Sequence, residues 1–199
     1  MNIKTAYACA LASQLAYEAA DVITVGDIIF TVAAQPDGTT IVAFRGTVDC
    51  IADFAHDGDI VPSIDPVLGM LHGGFDFGSA DYTAAVLANV TGDYYLTGHS
   101  LGGDRALICA ARARMANRPP IGVCTFGAAR PGCRELGEYL APIDGLSFAR
   151  NNDPIPDMVD PYKHPYSQHL IGDPVRHSMQ IFINHQIARY CADLAQLAI

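Results

Sequence analysis

The chain consists of apolar segments separated by polar ones, and the pattern within each apolar segment predicts either a strand or a helix. Short β-branched or aliphatic runs are typical of buried strands, and longer runs rich in Ala and Leu are typical of helices. The predicted strands cover residues 27–34, 40–44, 93–97, 121–126, 145–150 and 175–183. The predicted helices cover residues 3–19, 78–90, 101–115, 131–140 and 186–197. Because strand and helix alternate through the second half, we predict an α/β fold with a mostly parallel sheet flanked by helices.

The first half of the chain is predicted to begin with an amphipathic helix and a β-hairpin. The apolar face of the helix comprises Ile3, Tyr7, Ala10, Leu11 and Leu15. This periodicity favours a helix of the mature protein over a secretory signal peptide, so a cytoplasmic location is expected. The segment 35–39, Gln-Pro-Asp-Gly-Thr, is typical of a tight turn between the two strands that flank it.

Length and charge limit the functions that the chain can serve. With 199 residues, half of them hydrophobic, it is long enough for one domain with a substantial core. Its 21 acidic and 12 basic residues give a formal charge of -9, which disfavours nucleic acid and anionic membranes as partners. No apolar run approaches the roughly 18 residues of a membrane-spanning helix, so no stable membrane insertion is expected. The six cysteines lack metal-type spacing, and neither a metal nor another cofactor is expected.

Residues 94–103, Tyr-Tyr-Leu-Thr-Gly-His-Ser-Leu-Gly-Gly, combine a strand, a sharp turn and the start of a helix. In such a turn the backbone of the central residue is strained, and only small neighbours allow the strand and helix to close. Gly98 and Gly102 flank Ser100 at the required spacing. The pattern predicts Ser100 as a nucleophile raised above the edge of the sheet. Without the flanking strand and helix, it would indicate an ordinary tight turn.

A serine nucleophile requires an imidazole to accept its proton and a carboxylate to orient that imidazole. In folds with this kind of turn, the acid follows the serine and the histidine follows the acid. Asp153 lies in a proline-stiffened loop directly after a predicted strand, where the active sites of open α/β sheets are found. It is therefore preferred over the other downstream acids, which are Asp144, Asp157, Asp160 and Asp173.

Four histidines follow the nucleophile in the chain: His164, His169, His177 and His185. Only His185 lies at a predicted junction between strand and helix, which makes it the preferred base. His177 belongs to the alternating pattern of a predicted strand, which favours packing within the sheet. His169 and His177 remain as alternatives. His99, beside the nucleophile, is predicted to point away from it and to have a structural role.

The oxyanion that forms during acyl transfer requires two hydrogen-bond donors that are already in place. One is expected to be the backbone N–H of Leu101, at the start of the helix after Ser100. The other is expected from the end of an earlier strand, where Thr47 offers both an N–H and a hydroxyl. On spacing alone, Thr47 could equally be an ordinary turn residue.

Five segments taken together resemble the class 3 lipase family, and the resemblance covers nearly the whole chain. The segments are Val42–Thr47, His72–Phe75, Gly98–Gly103, Thr125–Gly127 and Asn152–Pro156. The resemblance implies an α/β-hydrolase fold and hydrolysis of acylglycerols or related esters. It also implies Ser100 as nucleophile, Asp153 as acid and Thr47 as oxyanion donor. His185, with Tyr190 five residues later, is similar to the family's catalytic histidine.

The chain departs from the family pattern in two places. Asp104 and Arg105 stand where small apolar residues usually follow the Gly-Gly pair, and their charges are expected to lie on an exposed helix face or to pair with each other. Residues 48–62 correspond to the family's lid, but they lack its frequent Trp and have a strongly acidic outer face. These acids are expected to be solvated rather than to bind calcium.

The sequence therefore predicts a serine carboxylic ester hydrolase, a lipase or esterase, that forms an acyl-enzyme. A chain of this length leaves no room for a large cap domain, and an acidic lid adheres weakly to anionic lipid. Both features favour small-molecule or lipid esters with short to medium acyl chains. The alternatives are an acyltransferase or amidase with the same three residues, and a catalytically silent binding module with the same fold.

Overall fold

The computed structural model describes residues 1–47, 61–173 and 181–199. The strands of the main sheet are β1 (Ile23–Val25), β2 (Ile28–Ala34), β3 (Thr40–Phe44), β6 (Tyr94–His99), β7 (Gly122–Phe126), β8 (Asp144–Arg150) and β9 (Gln168–Ile171). A separate hairpin comprises β4 (Ser63–Asp65) and β5 (Gly69–Leu71). The helices are α1 (Ile3–Leu15), α2 (Gly73–Asp76), α3 (Ser79–Asn89), α4 (Leu101–Met115), α5 (Arg134–Leu140), α6 (Ile181–Asn184) and α7 (Ile187–Leu197), with a 3₁₀ turn at Ile155–Asp157.

The strands of the main sheet lie in the order β1-β2-β3-β6-β7-β8-β9. Strand β2 is antiparallel to both of its neighbours, β1 and β3, and the strands β3, β6, β7, β8 and β9 are parallel. This confirms both the predicted hairpin and the mostly parallel sheet. Because parallel strands end at the same edge, the loops that follow β3, β6, β7 and β8 meet there. Ser100 and Asp153 lie in two of these loops.

Helices cover both faces of the sheet, and alternate side chains of β3 enter two different cores. Val42 and Phe44 belong to the core that contains residues of α3 and α4. Ile41 and Ala43 belong to the core that contains residues of α1 and α7. All four side chains are buried, so β3 lies between two apolar layers in the middle of the domain.

Helix α1 packs on the sheet through small side chains, and the predicted apolar face is wrong in part. Leu11 is 39% exposed and Leu15 is 59% exposed. The buried residues of the helix are Ala6, Cys9, Ala10, Ala12 and Ser13. Ser13 Oγ also lies 3.0 Å from Oγ1 of Thr97 in β6, so small residues allow the helix to approach the sheet backbone closely.

The region around the predicted strand 175–183 differs from expectation. Residues 181–184 form helix α6, so the prediction is wrong there, and residues 174–180 lie outside the described residues. Strand β9, by contrast, was not predicted from the sequence. It contains the polar residues Gln168 and His169, and among the strands that the structure describes β8 is its one neighbour. An edge position tolerates such a polar sequence because one side of the strand faces solvent.

Residues 48–60 of the predicted lid also lie outside the described residues. Residues 61 and 62, which follow them, lead into the hairpin of β4 and β5. None of the helices that the structure describes is both long and apolar enough to cross a membrane.

Candidate active site

Ser100 lies at the turn between β6 and α4. Its φ of 57° and ψ of -134° are values that residues with a side chain rarely adopt, so the predicted strain is confirmed. A Cβ atom on Gly98 would overlap the backbone of Gly102, so strand and helix can close only around glycine. The N–H of Ser100 donates a hydrogen bond of 2.9 Å to the carbonyl oxygen of Phe126, which fastens the turn to β7.

The carboxylate of Asp153 and the imidazole of His185 form a buried pair. Nδ1 of His185 lies 2.8 Å from Oδ2 and 3.0 Å from Oδ1 of Asp153. Oδ1 also accepts the N–H of Ile155 at 3.0 Å. Because a carboxylate only accepts hydrogen bonds, Nδ1 carries a proton, which leaves Nε2 as the nitrogen that can accept one. Nε2 is buried and has no hydrogen-bond partner among the described residues.

Tyr190 of helix α7 holds the acid from a second side. Its hydroxyl donates to Oδ2 of Asp153 at 2.5 Å and accepts the N–H of Arg150 at 3.1 Å. Burial, and then the adjacent Asp153, raise the pKa of Tyr190 well above its ordinary value, so this hydroxyl stays protonated and remains a donor. The bond ties the acid loop after β8 to the helix that follows His185.

Gly127, directly after β7, has no side chain, and this allows the side chains of Asp153 and His185 to lie against it. It has a φ of 58°, and a Cβ atom at this position would lie 2.9 Å from Oδ2 of Asp153 and 3.1 Å from Cε1 of His185. Both the backbone conformation and the close approach require glycine. A larger residue here would push the acid and the imidazole apart.

His99 is buried beside His185, with 4.5 Å between the ring centroids. Its Nε2 donates to the carbonyl oxygen of His185, and its Nδ1 lies 2.9 Å from the hydroxyl of Tyr17. Since a carbonyl only accepts, the proton is on Nε2 and Tyr17 donates to Nδ1. Burial, and then the neighbouring His185, lower the pKa of His99 well below its ordinary value. His99 is therefore neutral, and it positions the backbone of His185, a contact that the sequence did not predict.

The other histidines considered from the sequence lie elsewhere. His169 is exposed on the edge strand β9, with its ring centroid 5.6 Å from that of Phe148. The Nε2 atom of His164 lies 2.5 Å from the carbonyl oxygen of Pro156. His177 lies outside the described residues. Among the described histidines, His185 is the one that contacts Asp153.

Thr47 and Leu101 line the same cavity, which has a volume of about 340 Å³. Gly46 belongs to the same wall, and a Cβ atom there would lie 3.3 Å from Cβ of Ser100. Leu101 is the first residue of α4, where a backbone N–H has no partner within the helix. Thr47 and Leu101 therefore share a cavity with Gly46, the residue of this wall that approaches Ser100.

Asp104 is buried, and the expectation of an exposed or mutually paired Asp104 and Arg105 is wrong. Oδ2 of Asp104 accepts the N–H of Ala129 at 3.2 Å, while Oδ1 has no partner among the described residues. Burial raises the pKa of Asp104 well above its ordinary value. The carboxyl group is covered by the loop after β7, which hydrophobic periodicity within α4 does not reveal.

The raised pKa of Asp104 predicts a stability that falls as pH rises. The carboxyl group keeps its proton in the folded chain but loses it in the unfolded chain above about pH 4. Stability is therefore lost as pH rises from that point toward the folded-state pKa. Replacing Asp104 with Asn should remove this contribution, so the variant should lose less stability than the wild type between pH 4.5 and pH 8. Urea unfolding at both pH values tests it. An equal pH dependence in wild type and D104N would contradict the buried, protonated state.

Comparisons with known proteins were made for both sequence and structure. The model of the family described as Lipase (class 3) matches residues 83–162. This segment includes Ser100 and Asp153 and ends before His185. No curated protein sequence matches the chain.

Several solved structures of fungal lipases have a similar fold. A lipase from Rhizopus microsporus var. chinensis is 22% identical, with 96% of this chain and 85% of that chain covered and a TM-score of 0.70. For the triacylglyceride lipase of Rhizomucor miehei the identity is 21%, the covered shares are 85% and 79%, and the TM-score is 0.70. A mono- and diacylglycerol lipase from Aspergillus oryzae is 22% identical, with 88% of this chain and 80% of that chain covered and a TM-score of 0.67. The architecture is that of the α/β hydrolases, as the sequence predicted.

Proposed function

We propose that this chain is a serine ester hydrolase of the class 3 lipase family, and that it cleaves short- to medium-chain carboxylic esters through an acyl-enzyme. The orientation of His185 supports the proposal most strongly. One of its ring nitrogens is held by Asp153, and the other is buried and unpartnered among the described residues. Ser100 follows His99, whose ring centroid lies 4.5 Å from that of His185, and within the described residues no hydrogen bond joins Oγ of Ser100 to Nε2 of His185.

In the first half-reaction, Oγ of Ser100 attacks the ester carbonyl carbon while Nε2 of His185 accepts the hydroxyl proton. The hydrogen bond from Nδ1 to Asp153 stabilises the imidazolium that forms. The tetrahedral intermediate then collapses, the bond to the leaving alcohol breaks, and His185 returns the proton to that alcohol. The acyl group remains on Ser100.

In the second half-reaction, a water molecule takes the place of the alcohol. His185 accepts a proton from the water as its oxygen attacks the acyl-enzyme, and the proton then passes to Oγ of Ser100 as the acid leaves. The cycle consumes one ester and one water and yields one alcohol and one acid.

The proposed oxyanion donors are the N–H of Leu101 and the N–H and hydroxyl of Thr47. Removal of one donor in such a site usually lowers kcat by about a hundredfold or more. We therefore expect Thr47→Ala to lower kcat about a hundredfold with little change in KM, and Thr47→Ser to retain most of the activity. Equal activity in the alanine variant and the wild type would remove the hydroxyl from the mechanism.

The proposed acyl-chain preference is supported by the size of the cavity beside Thr47 and Leu101. At about 340 Å³ it lies near the lower end of the usual range for ligand sites. A short acyl chain fits within such a volume, whereas the distal part of a long chain would remain in water. Buried methylene groups then stop adding to transition-state binding once the cavity is full.

A series of 4-nitrophenyl esters tests this preference. We expect kcat/KM to fall about tenfold or more from butyrate to palmitate, with each ester measured below its critical micelle concentration. A Ser100→Ala variant measured in parallel gives the uncatalysed background. A rate that rises with chain length, or that jumps when the substrate forms micelles, would instead indicate a long-chain interfacial lipase.

A further inference from the structure

Charged side chains line the cavity beside the proposed oxyanion donors. Its wall includes Arg45, Arg105 and Asp27 in addition to Thr47 and Leu101. Arg105 follows Leu101 by four residues in α4, so their side chains share one face of the helix. The two residues are about 6 Å apart along the helix axis, which is one helical turn. The acyl chain of a substrate whose carbonyl oxygen is held at Leu101 therefore needs to extend by only one helical turn to reach the guanidinium of Arg105.

Within the part of the chain that the structure describes, Arg105 forms no ion pair at contact distance, although Asp104 and Asp27 attract it electrostatically. Its guanidinium makes no hydrogen bond or ion pair there, although Nε is buried. Three other arginines differ, because Arg112, Arg130 and Arg150 each pair with a carboxylate. The adjacent Asp104 does not pair with Arg105, since it accepts its hydrogen bond from the loop after β7. Arg105 is thus a partly buried cation that faces the cavity with its hydrogen-bonding capacity unused.

The cavity wall carries one carboxylate and two guanidinium groups, so its charges sum to one positive charge. Asp27 is exposed and attracts Arg105 electrostatically, but within the described residues no hydrogen bond or contact ion pair joins the two. Arg45 contributes a second positive charge to the wall. Burial lowers the pKa of Arg105, but a guanidinium still carries its charge at neutral pH. Because an unpaired buried cation is unfavourable, a ligand anion that pairs with it is bound favourably.

We propose that the cavity binds an acyl group that ends in a carboxylate, and that Arg105 determines this specificity. The inference rests on the proposed function, because it assumes that Leu101 and Thr47 hold the ester carbonyl oxygen. A guanidinium binds a carboxylate through two parallel hydrogen bonds, a geometry that a terminal methyl group cannot use. The expected substrates are half-esters of dicarboxylic acids. A chain of about six carbons spans the single helical turn between Leu101 and Arg105.

Two esters of matched length test the inference: 4-nitrophenyl hexanoate and the mono-4-nitrophenyl ester of adipic acid. They differ in that a carboxylate replaces the terminal methyl group. Wild-type kcat/KM is expected to be about tenfold higher for the adipate ester at low salt, and this ratio should fall as ionic strength rises. Arg105→Gln should bring the ratio to one or below, because it removes the partner of the adipate carboxylate.

Arg134→Gln is the matched control, because Arg134 is an exposed arginine of α5 that pairs with Glu138. It should leave the ratio as in wild type. The wild-type ratio is informative even if the Arg105 variant does not fold. A ratio near one with normal hexanoate hydrolysis would overturn the role of Arg105 and leave the ester hydrolase intact. If neither ester is cleaved above the Ser100→Ala background, both the inference and the proposed function fail.

Discussion

Replacing Ser100 with Ala is expected to lower kcat for a 4-nitrophenyl ester by about a millionfold, to nearly the uncatalysed rate. The substitution removes the oxygen that forms the acyl-enzyme and leaves the helix and strand on either side unchanged. Alanine keeps the Cβ atom and the same strained backbone, so the variant should be about as stable as the wild type. The loss would then reflect chemistry rather than unfolding.

The control for this experiment is Ser167→Ala, because Ser167 is exposed and lies before the edge strand β9. It should retain the wild-type rate. Thermal unfolding of both variants checks that each is folded. Hydrolysis by Ser100→Ala at the parental rate would assign the nucleophile to another residue.

The second large effect is expected from Asp153→Asn, which should lower kcat about ten-thousandfold. Oδ1 of Asp153 accepts from Ile155, and Oδ2 accepts from Tyr190, while His185 donates to both oxygens. An asparagine offers one oxygen and one NH₂ group to these three donors. Whichever way the amide turns, it cannot accept from all three donors. If its NH₂ group faces Nδ1, Nδ1 must accept a hydrogen bond, and the imidazole proton is then on Nε2. In that tautomer His185 cannot accept the proton of Ser100.

Asp157→Asn provides the matched control, because Asp157 belongs to the same loop but is exposed and pairs with Arg130. Surface pairs of this kind contribute little to stability, so its activity and stability should stay near those of the wild type. If Asp153→Asn retained more than about a tenth of the wild-type kcat, the carboxylate would not be the group that orients the catalytic imidazole.

The turn at Ser100 was predictable from the sequence because everything that determines it is local. Residues 98–103 contain the glycines, the nucleophile and the start of the helix, and α4 has the bounds that the apolar pattern predicted. The site beyond this turn depends on contacts between distant residues. Asp153 and His185 are 32 residues apart, and Tyr17 and His99 are 82 apart. Their positions in loops suggested that Asp153 and His185 pair, but nothing in the sequence suggested the contact between Tyr17 and His99.

Two errors of the sequence analysis have a common physical origin. The run Ile-Phe-Ile-Asn at 181–184 is as compatible with a buried helix as with a strand, and it forms α6. Leu11 and Leu15 lie on a regular apolar stripe, yet the sheet contacts the small residues of α1 instead. In both cases the partner surface decides the structure, and a pattern within one segment does not contain that surface.

Labelling with a fluorophosphonate tests the central claim most directly, because the reagent bonds to a serine only when a neighbouring base activates it. The intact mass of the folded wild type should increase by one adduct, and peptide mapping should place it on Ser100. Asp157→Asn should label at the wild-type rate, and His185→Ala should label at least about a hundredfold more slowly. A folded wild-type protein that takes up no adduct, or takes it up at another residue, would contradict the arrangement of Ser100, His185 and Asp153 on which the proposed function depends.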